Sequence, residues 1–479
     1  MKKHIAYVLV LLMILSLFVG CNGGSAEVDY NQTVMTIGGY NISLKEYDFT
    51  YMATVQEFCT SYQTYLQYLE LDTSVSLKEQ NCKISEKTQT WAEFFMDQTE
   101  EMLTQVYVFY NAAVAEGMTL SAAGEEQLDS FMLALKDAAA AAKVTEDEYL
   151  SVNYGPGLTA ADYREMVSRR LLATQYCDEK IATLTYTDAE YEAYFEKNKD
   201  TLEHVDVRVY TVTESYLPAD FKADTEDTTD AKVKAYAELF AEGLTSQEEF
   251  AKRALSFAPE GEKVYYETAN STLMVNVASD EIGVQDMKTW LFDRTRAEGD
   301  ISIFQTSTAT YTVCYFVSRQ RDENPMVAMR HLLLKVDDKT EGKSDAEVAA
   351  AIQEIYDGWV ADGATEEGFI KLATEKTEDT GSKTNGGYYD FFARGTMVSR
   401  IEDWLYEEGR QLNEHTIIKT SYGYHIVLFK GYGEIGWKHE STVPMQDEDY
   451  YKMFDRFCKE QAVTYVENHR DLAGNVKMG

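Results

Sequence analysis

The first part of the chain has the hydrophobic pattern of a small hairpin followed by helices. Residues 34–37 and 40–42 flank Gly38-Gly39, and this arrangement predicts a β-hairpin around a glycine turn. Residues 43–46 read Ser-Leu-Lys-Glu, which predicts a helix start because the serine and glutamate can satisfy free backbone N–H groups. Residues 43–198 are predicted to be mostly helical. The main predicted segments are 102–117, 125–143 and 163–184, with further capping boxes at Thr145 and Thr187.

From about residue 205 the pattern changes to β-branched and aromatic strands separated by helices, and an internal repeat becomes visible. The repeat predicts two copies of one α+β unit, at 203–321 and 327–436, joined by a linker at Asn324-Pro325. The matching segments are 249–254 with 368–373, 290–292 with 404–406, and 311–316 with 424–429.

After the second copy, an amphipathic pattern predicts a C-terminal helix over 445–470. Its apolar face needs a partner, and the helical domain at 33–200 is the simplest one. The predicted fold class is therefore α+β, with one helical domain followed by two repeated antiparallel-looking units.

The N-terminus predicts export from the cytoplasm. Basic residues at positions 2–3 precede an apolar run over 5–15, too short for a stable membrane span, so residues 1–21 are predicted to be a signal peptide. The sequence Phe18-Val19-Gly20-Cys21 resembles a bacterial lipobox, although Leu is usual where Phe18 stands. Cys21 would then carry the lipid and residues 22–32 would be a flexible tether. Plain secretion is the alternative.

Composition and charge narrow the class of protein. The 479 residues are 45% hydrophobic and 13% aromatic, which predicts several globular domains. Lys and Arg number 44 against 81 Asp and Glu, a net charge of −37 that argues against nucleic acid and anionic lipid headgroups as partners. The cysteines after Cys21 show no metal-like spacing, and only a Cys59–Cys82 disulfide is left open.

The second copy carries an ordered set of motifs over roughly 110 residues that resembles the parvulin family of peptidyl-prolyl isomerases. The hairpin-plus-helices start and the C-terminal helix are similar to the SurA/PrsA class of exported chaperones. The parvulin-like motifs are Arg330-His331-Leu332-Leu333-Leu334, Phe369-Ile370-Lys371-Leu372-Ala373, Asp379, Gly386-Gly387, Gly395-Thr396-Met397 and Tyr422-Gly423-Tyr424-His425-Ile426.

The resemblance implies a catalytic centre of His331, Asp379 and His425. It also implies an apolar seat for the proline ring, built from Met397, Ile401, Phe391 and Phe392, with Tyr422 beside it. Rotation about an X-Pro bond makes and breaks no bond to carbon, so no cofactor and no metal is expected.

Two features depart from the family pattern. Ile401 stands where a phenylalanine usually lines the proline pocket, which predicts a weaker hold on the ring by about 1–3 kcal/mol. Residues 388–390 read Tyr-Tyr-Asp in place of Asp-Leu-Gly. The first copy lacks both histidines and is predicted to be inactive, with Val209, Glu260, Gly283 and Thr312 at the positions of His331, Asp379, Met397 and His425.

The sequence therefore predicts a lipid-anchored prolyl isomerase and chaperone, acting on unfolded exported proteins with X-Pro bonds at the outer face of the cytoplasmic membrane. A homodimer is left open. The alternatives are a non-catalytic holdase that uses both repeats as binding surfaces, and a lipid-anchored solute-binding protein. For the residues themselves, either histidine alone could be a core residue, Asp379 a turn residue and Met397 a core residue.

Overall fold

The computed structural model describes residues 28–222, 228–336 and 344–472. The predicted signal peptide, Cys21 and most of the tether lie outside these ranges. The described chain divides into two compact units. The helical unit combines residues up to 186 with those from 444, and the β-rich unit covers residues 187–443.

The helical unit begins with the predicted hairpin, whose strands are antiparallel. The helix predictions for 102–117, 125–143 and 163–184 are confirmed within longer helices, whereas residues 62–90 form mainly turns. The elements in chain order are β1 (Thr33–Ile37), β2 (Tyr40–Ser43), α1 (Leu44–Ser61), α2 (Trp91–Ala115), α3 (Ala122–Ala142), α4 (Glu146–Tyr154) and α5 (Ala160–Ala182).

The three predicted helix starts are confirmed. Ser43 accepts a hydrogen bond from the Glu46 backbone N–H at the start of α1. Thr145 and Thr187 each form a full capping box, in which the threonine side chain and the glutamate three residues later satisfy two backbone donors.

The β-rich unit contains two sheets of the same design. The first domain, residues 203–321, has the elements β3 (His204–Val212), α8 (Thr229–Ala241), α9 (Gln247–Phe257), α10 (Lys263–Tyr266), β4 (Leu273–Val277), α11 (Gln285–Leu291), β5 (Ile301–Ser307) and β6 (Thr310–Gln320), preceded in the chain by α6 (Asp188–Lys197) and α7 (Lys199–Leu202). The second domain, residues 327–436, has β7 (Pro325–Lys335), α12 (Asp345–Ala361), α13 (Glu366–Lys376), β8 (Tyr388–Phe392), α14 (Ser399–Leu405), β9 (His415–Thr420) and β10 (Gly423–Ile435).

The strand orders of the two sheets correspond. The first sheet runs β4-β3-β6-β5 and the second runs β8-β7-β10-β9, and all of the pairings are antiparallel. Each sheet buries apolar side chains on both faces, because helices cover one face and a short helix covers the other. The predicted internal repeat is therefore a repeat of the fold.

The C-terminal region differs from the single helix predicted over 445–470. The chain instead forms α15 (Gly436–Glu460), β11 (Val463–Tyr465) and α16 (His469–Leu472). The sequence of β11 is too short for an alternating pattern to show, and it is fixed by pairing with β1 to give the sheet order β11-β1-β2. A strand of this length is set by its partner and not by propensity.

The core of the helical unit joins its N-terminal and C-terminal parts. The rings of Tyr450 and Phe457 lie 5.3 and 5.7 Å from the ring of Phe109 in α2. Cys59 and Cys82 are both buried free thiols, so the disulfide left open by the sequence does not form. Among the described residues, no helix combines the length and the apolar character needed to cross a bilayer.

Candidate active site

The central strands of the second sheet bring together two histidines that are distant in sequence. His331 lies on β7 and His425 on the neighbouring β10, where it is paired with Leu333. Residues two apart on a strand point to the same face, so the two imidazoles lie diagonally across the pair of strands. Their Nδ1 atoms are 3.2 Å apart.

A polar residue flanks the histidine pair at each end. His331 Nε2 lies 2.9 Å from Asp379 Oδ2, and His425 Nε2 lies 2.8 Å from Thr420 Oγ1. Both imidazoles are almost completely buried, with 5% and 4% of their surface exposed. The result is a buried chain of hydrogen bonds in the order Asp379, His331, His425, Thr420.

Burial keeps both imidazoles neutral. It lowers the pKa of His331, although the hydrogen bond and charge of Asp379 oppose the shift. Burial together with neighbouring His331 lowers the pKa of His425 to about 3. Burial would raise the pKa of Asp379, but hydrogen bonds from Ser382, His331 and Tyr389 hold it well below its usual range. At neutral pH the site therefore contains one carboxylate and two uncharged histidines.

This charge state fixes the direction of each hydrogen bond. A carboxylate can only accept, so His331 donates from Nε2 to Asp379 and must accept at Nδ1. His425 then donates from Nδ1 to His331 and accepts at Nε2 from the Thr420 hydroxyl. The Thr420 oxygen in turn accepts from the Tyr422 backbone N–H at 3.1 Å.

The Asp379 carboxylate is positioned by the loop that follows α13. It accepts hydrogen bonds from the hydroxyl groups of Tyr389, at 3.0 Å, and Ser382. Its side chain is 19% exposed, so this end of the chain reaches the surface. Asp379 is therefore an oriented acceptor in the site, as well as the turn residue that its sequence context suggests.

The double glycine positions the strand that carries His331. The backbone N–H of His331 donates to the Gly387 carbonyl at 2.8 Å. Gly387 has φ +77°, and a Cβ there would overlap the carbonyl oxygen of His331. A residue with a side chain would push β7 away from the loop, so glycine is required at this point.

The residues predicted to bind substrate are not all brought together. Met397, Phe392 and Ile401 belong to one apolar cluster on the sheet face that carries the histidines. Ile401 is packed onto the sheet by α14, with only 1% of its surface exposed, and its role in substrate binding stays a prediction. The ring of Phe391 lies against Gly433 and is not part of that cluster. Tyr422 is exposed, in the turn between β9 and β10.

Three hydroxyl groups of the site were not predicted: those of Ser382, Tyr389 and Thr420. Tyr389 belongs to the residues that depart from the family pattern, and this departure was the available signal. Thr420 carried none, since its role follows from the turn that brings it 2.8 Å from His425.

A small cavity of about 80 Å³ adjoins the Thr420 end of the hydrogen-bond chain. Val398 and Ser399 at the start of α14 and Ser421 beside Thr420 line one side of it. Val264 and Tyr265 of the first domain line the other. The hydrogen-bond chain thus has a small cavity at its Thr420 end, where the apolar groups of Val264, Tyr265 and Val398 lie among polar side chains, and the first domain contributes a wall.

The first domain preserves the scaffold of the site without its polar centre. Val209 donates its backbone N–H to the Thr272 carbonyl at 2.7 Å, as His331 does to Gly387, so Val209 has the position of His331. Within the described residues, no group of His, Cys, Asp or Glu side chains in either domain is arranged to hold a metal ion. The strand register also places Thr312 at the position of His425.

The family described as the PPIC-type PPIASE domain matches residues 311–431. This range contains His331, Asp379, Thr420 and His425, and it includes the second sheet except for the last four residues of β10. The fold and the site together define this part of the chain as a parvulin-type peptidyl-prolyl isomerase domain.

Curated relatives are foldases named PrsA. Foldase protein PrsA of Exiguobacterium sibiricum is 41% identical over 59 residues, 12% of this chain and 19% of the relative. PrsA 1 of Listeria innocua is 25% identical over 166 residues, 35% of this chain and 48% of the relative. The matched segments thus span less than half the length of these relatives.

Solved structures include the parvulin NmPin of Nitrosopumilus maritimus, 28% identical, which covers 22% of this chain and 97% of its own with a TM-score of 0.16. PrsA of Bacillus subtilis is 16% identical and covers 64% of this chain and 98% of its own, with a TM-score of 0.17. The chain is thus similar to PrsA foldases over part of its length.

Proposed function

We propose that the protein is a peptidyl-prolyl cis-trans isomerase and chaperone that assists the folding of exported proteins. The observation that carries the proposal is the buried chain of hydrogen bonds Asp379–His331–His425–Thr420, which has a small cavity at its Thr420 end. Rotation about a bond needs no nucleophile and no metal, because no bond to carbon is made or broken.

The chemistry follows from the resonance of the amide. A planar X-Pro amide is held by C–N double-bond character and resists rotation with a barrier of about 18–20 kcal/mol. Resonance separates charge, and water stabilises that separation. A dry pocket withdraws this stabilisation and favours the twisted amide, in which the charge separation is lost. Neutral histidines suit such a pocket because they add hydrogen-bonding capacity without a net charge.

We assign His331, His425 and Asp379 to the catalytic centre and Met397, Phe392 and Tyr422 to the substrate-binding surface. Ile401 supports that surface from beneath. The protein would act outside the cytoplasm, anchored through lipid on Cys21, on partly folded chains that contain X-Pro bonds. PrsA-named relatives and the N-terminal sequence support this setting.

The test is the cis-trans exchange rate of an Ala-Pro peptide, measured by NMR with the full chain. His331→Ala plus His425→Ala is expected to lose the acceleration, whereas Thr312→Ala, at the equivalent position of the first domain, is expected to keep it. Asp379→Asn provides a milder change if the double variant does not fold. Equal rates for the wild type and the folded site variants would refute the catalytic assignment.

The chaperone activity is tested separately by the aggregation of a proline-free client. Suppression by both the wild type and the double histidine variant would establish a holding function independent of isomerisation. Isomerase activity without any such suppression would remove the chaperone part of the proposal.

A further inference from the structure

The two domains of the β-rich unit enclose a cleft of about 810 Å³. Its volume lies within the range of about 300–1,000 Å³ that is typical of ligand sites. All residues of β4 line one side, and residues 393–399, which lead from β8 into α14, line the other. β4 is the edge strand of its sheet.

The cleft reaches the face of the first domain that corresponds to the histidine face of the second domain. Val209, at the position of His331, lines it together with Leu273, Met274 and Ile282. Replacing an imidazole by a valine removes the polar centre and leaves an apolar surface. Met274 presents its side chain openly, with 43% of its surface exposed. This side of the cleft offers contacts to apolar ligand groups. Elsewhere Asn270, Glu281, Arg394 and Asp403 add polar and charged groups to the lining.

The cleft is continuous with the small cavity at the isomerase site. Tyr265, Ser271, Val398 and Ser399 line both spaces, and the small cavity then reaches Thr420. Tyr265 stands at the junction with its hydroxyl donating to the Ser271 carbonyl at 2.9 Å, and 48% of its surface is exposed. A chain held in the cleft can therefore pass this ring and reach the site of rotation.

Contacts between the domains hold the cleft in shape. Arg400 donates to Thr268 at 2.7 Å, and the Asn276 side-chain amide donates to the Arg394 carbonyl at 3.1 Å. Gly395 approaches β4 so closely that a Cβ there would lie 2.5 Å from the Val275 carbonyl oxygen. A preformed cleft avoids part of the entropy cost of binding.

We infer that this interdomain cleft binds an extended, apolar stretch of the client polypeptide next to the proline that is isomerised. In this proposal the first domain binds the client and does not catalyse rotation. The ring of Tyr265 lies between the cleft and the small cavity. The inference rests on the proposed function, because it takes the site at Thr420 and His425 as the place of rotation.

The test compares two fluorescein-labelled peptides on the full chain: a 12-residue peptide with Leu and Phe on both sides of one proline, and a four-residue peptide with the same X-Pro bond. Met274→Ser and Tyr265→Ala should lower the affinity for the long peptide by about tenfold, as expected for the loss of one apolar contact. In both variants the ratio of the affinity for the long peptide to the affinity for the short peptide should therefore fall. Tyr68→Ala, an exposed tyrosine of the helical unit, should leave the ratio at its wild-type value.

A benzophenone on the long peptide should crosslink to residues 273–277 or 393–399. Unchanged long-peptide affinity in both variants, or crosslinks confined to the helical unit, would overturn the inference. A wild type that accelerates no isomerisation but loses long-peptide affinity in these variants would remove the proposed activity and leave the cleft. A wild type that accelerates isomerisation, together with variants whose long-peptide affinity is unchanged, would keep the proposed activity and remove the cleft as a binding site.

Discussion

The Nδ1 atom of His331 lies 3.2 Å from the Nδ1 atom of His425, and each ring uses its second nitrogen to bond a different oxygen. Both nitrogens of both rings are therefore engaged. A proton added to His331 would leave two donors facing each other at Nδ1, and a proton added to His425 would turn its Nε2 into a donor and break the hydrogen bond from the Thr420 hydroxyl. The pair is consistent only when both rings are neutral, which makes its stability dependent on pH.

The β-rich unit is expected to lose stability as the pH falls from about 6.5 towards 4. An unfolded histidine has a pKa of about 6.5, whereas burial lowers the pKa of His425 to about 3. Between these values the unfolded chain binds more protons, so stability is full above pH 6.5 and declines below it, by at most about 1.4 kcal/mol per pH unit for each such histidine.

Hydrogen exchange of β7 and β10, followed between pH 7 and pH 4, measures this loss. His425→Asn should reduce the slope. Asp379 does not interfere in this window, because a carboxylate whose pKa is lowered costs stability only when the pH falls below about 4. A flat stability profile in the wild type would contradict neutral burial of the pair.

Thr420→Val should destabilise the site, because it removes the hydroxyl that donates to His425 Nε2. A buried acceptor without a partner costs about 1–3 kcal/mol, and the tautomer of His425 is no longer fixed. Thr420→Ser keeps the hydroxyl and is the matched control. Imidazole ¹⁵N shifts report the tautomer directly, and identical spectra for the valine and serine variants would show that the hydrogen bond is unimportant.

Glu402→Ala should disorder the loop that carries Met397. Its Oε1 accepts hydrogen bonds from the backbone N–H groups of Gly395 and Met397, both at 2.8 Å, and the residue is buried. Removing the acceptor leaves two backbone donors without this partner, at a cost below the roughly 1–3 kcal/mol of a fully buried group, because Gly395 is exposed and Met397 is half-buried. Glu402→Gln retains an acceptor and should be much closer to the wild type. Urea unfolding of the two variants distinguishes them, and equal midpoints would argue against this role.

Gly395→Ala should loosen the contact between the two β-rich domains. The new Cβ meets a backbone oxygen of β4, and φ is +100°. Gly363→Ala is the control for the backbone term alone, because φ there is +95° and nothing lies within 4 Å of its Cβ. In each variant the backbone strain should lower the free energy of unfolding by about 1–3 kcal/mol. Faster hydrogen exchange in β4 is expected only for Gly395→Ala, and its absence would show that the contact adapts without cost.

Cys21→Ser should release the protein from the membrane into the medium. An acyl anchor supplies about 0.8 kcal/mol per buried methylene group, and a serine cannot be lipidated in its place. Fractionation of cells that express the wild type or the variant measures the change. Equal membrane association of both would indicate another mode of attachment.

The fold could be predicted from the sequence where local signals agreed. The capping boxes at Ser43, Thr145 and Thr187 locate helix starts because they are short-range hydrogen-bond patterns. The internal repeat predicted two related domains, and their sheets have corresponding strand orders. β11 left no trace, because three residues that pair with a strand more than 400 positions earlier carry no local pattern.

The site was predictable in its centre and less so at its rim. His331, Asp379 and His425 belong to motifs, and the structure brings them together. The burial of Ile401 could not be predicted from its place in the motif, because packing of α14 decides which side chains lie against the sheet. The wall contributed by Tyr265 depends on how two domains meet, a relationship that no motif within one domain encodes.

The pairing of β1 with β11 has a consequence for how the protein is made. Thr36 lies opposite Thr464, so the small sheet of the helical unit cannot be completed until all of residues 187–443 have been synthesised. As the chain emerges, the inserted unit has every strand it needs for its own two sheets well before its host does. Folding should therefore begin in the β-rich unit and finish when β11 pairs with β1 in the helical unit.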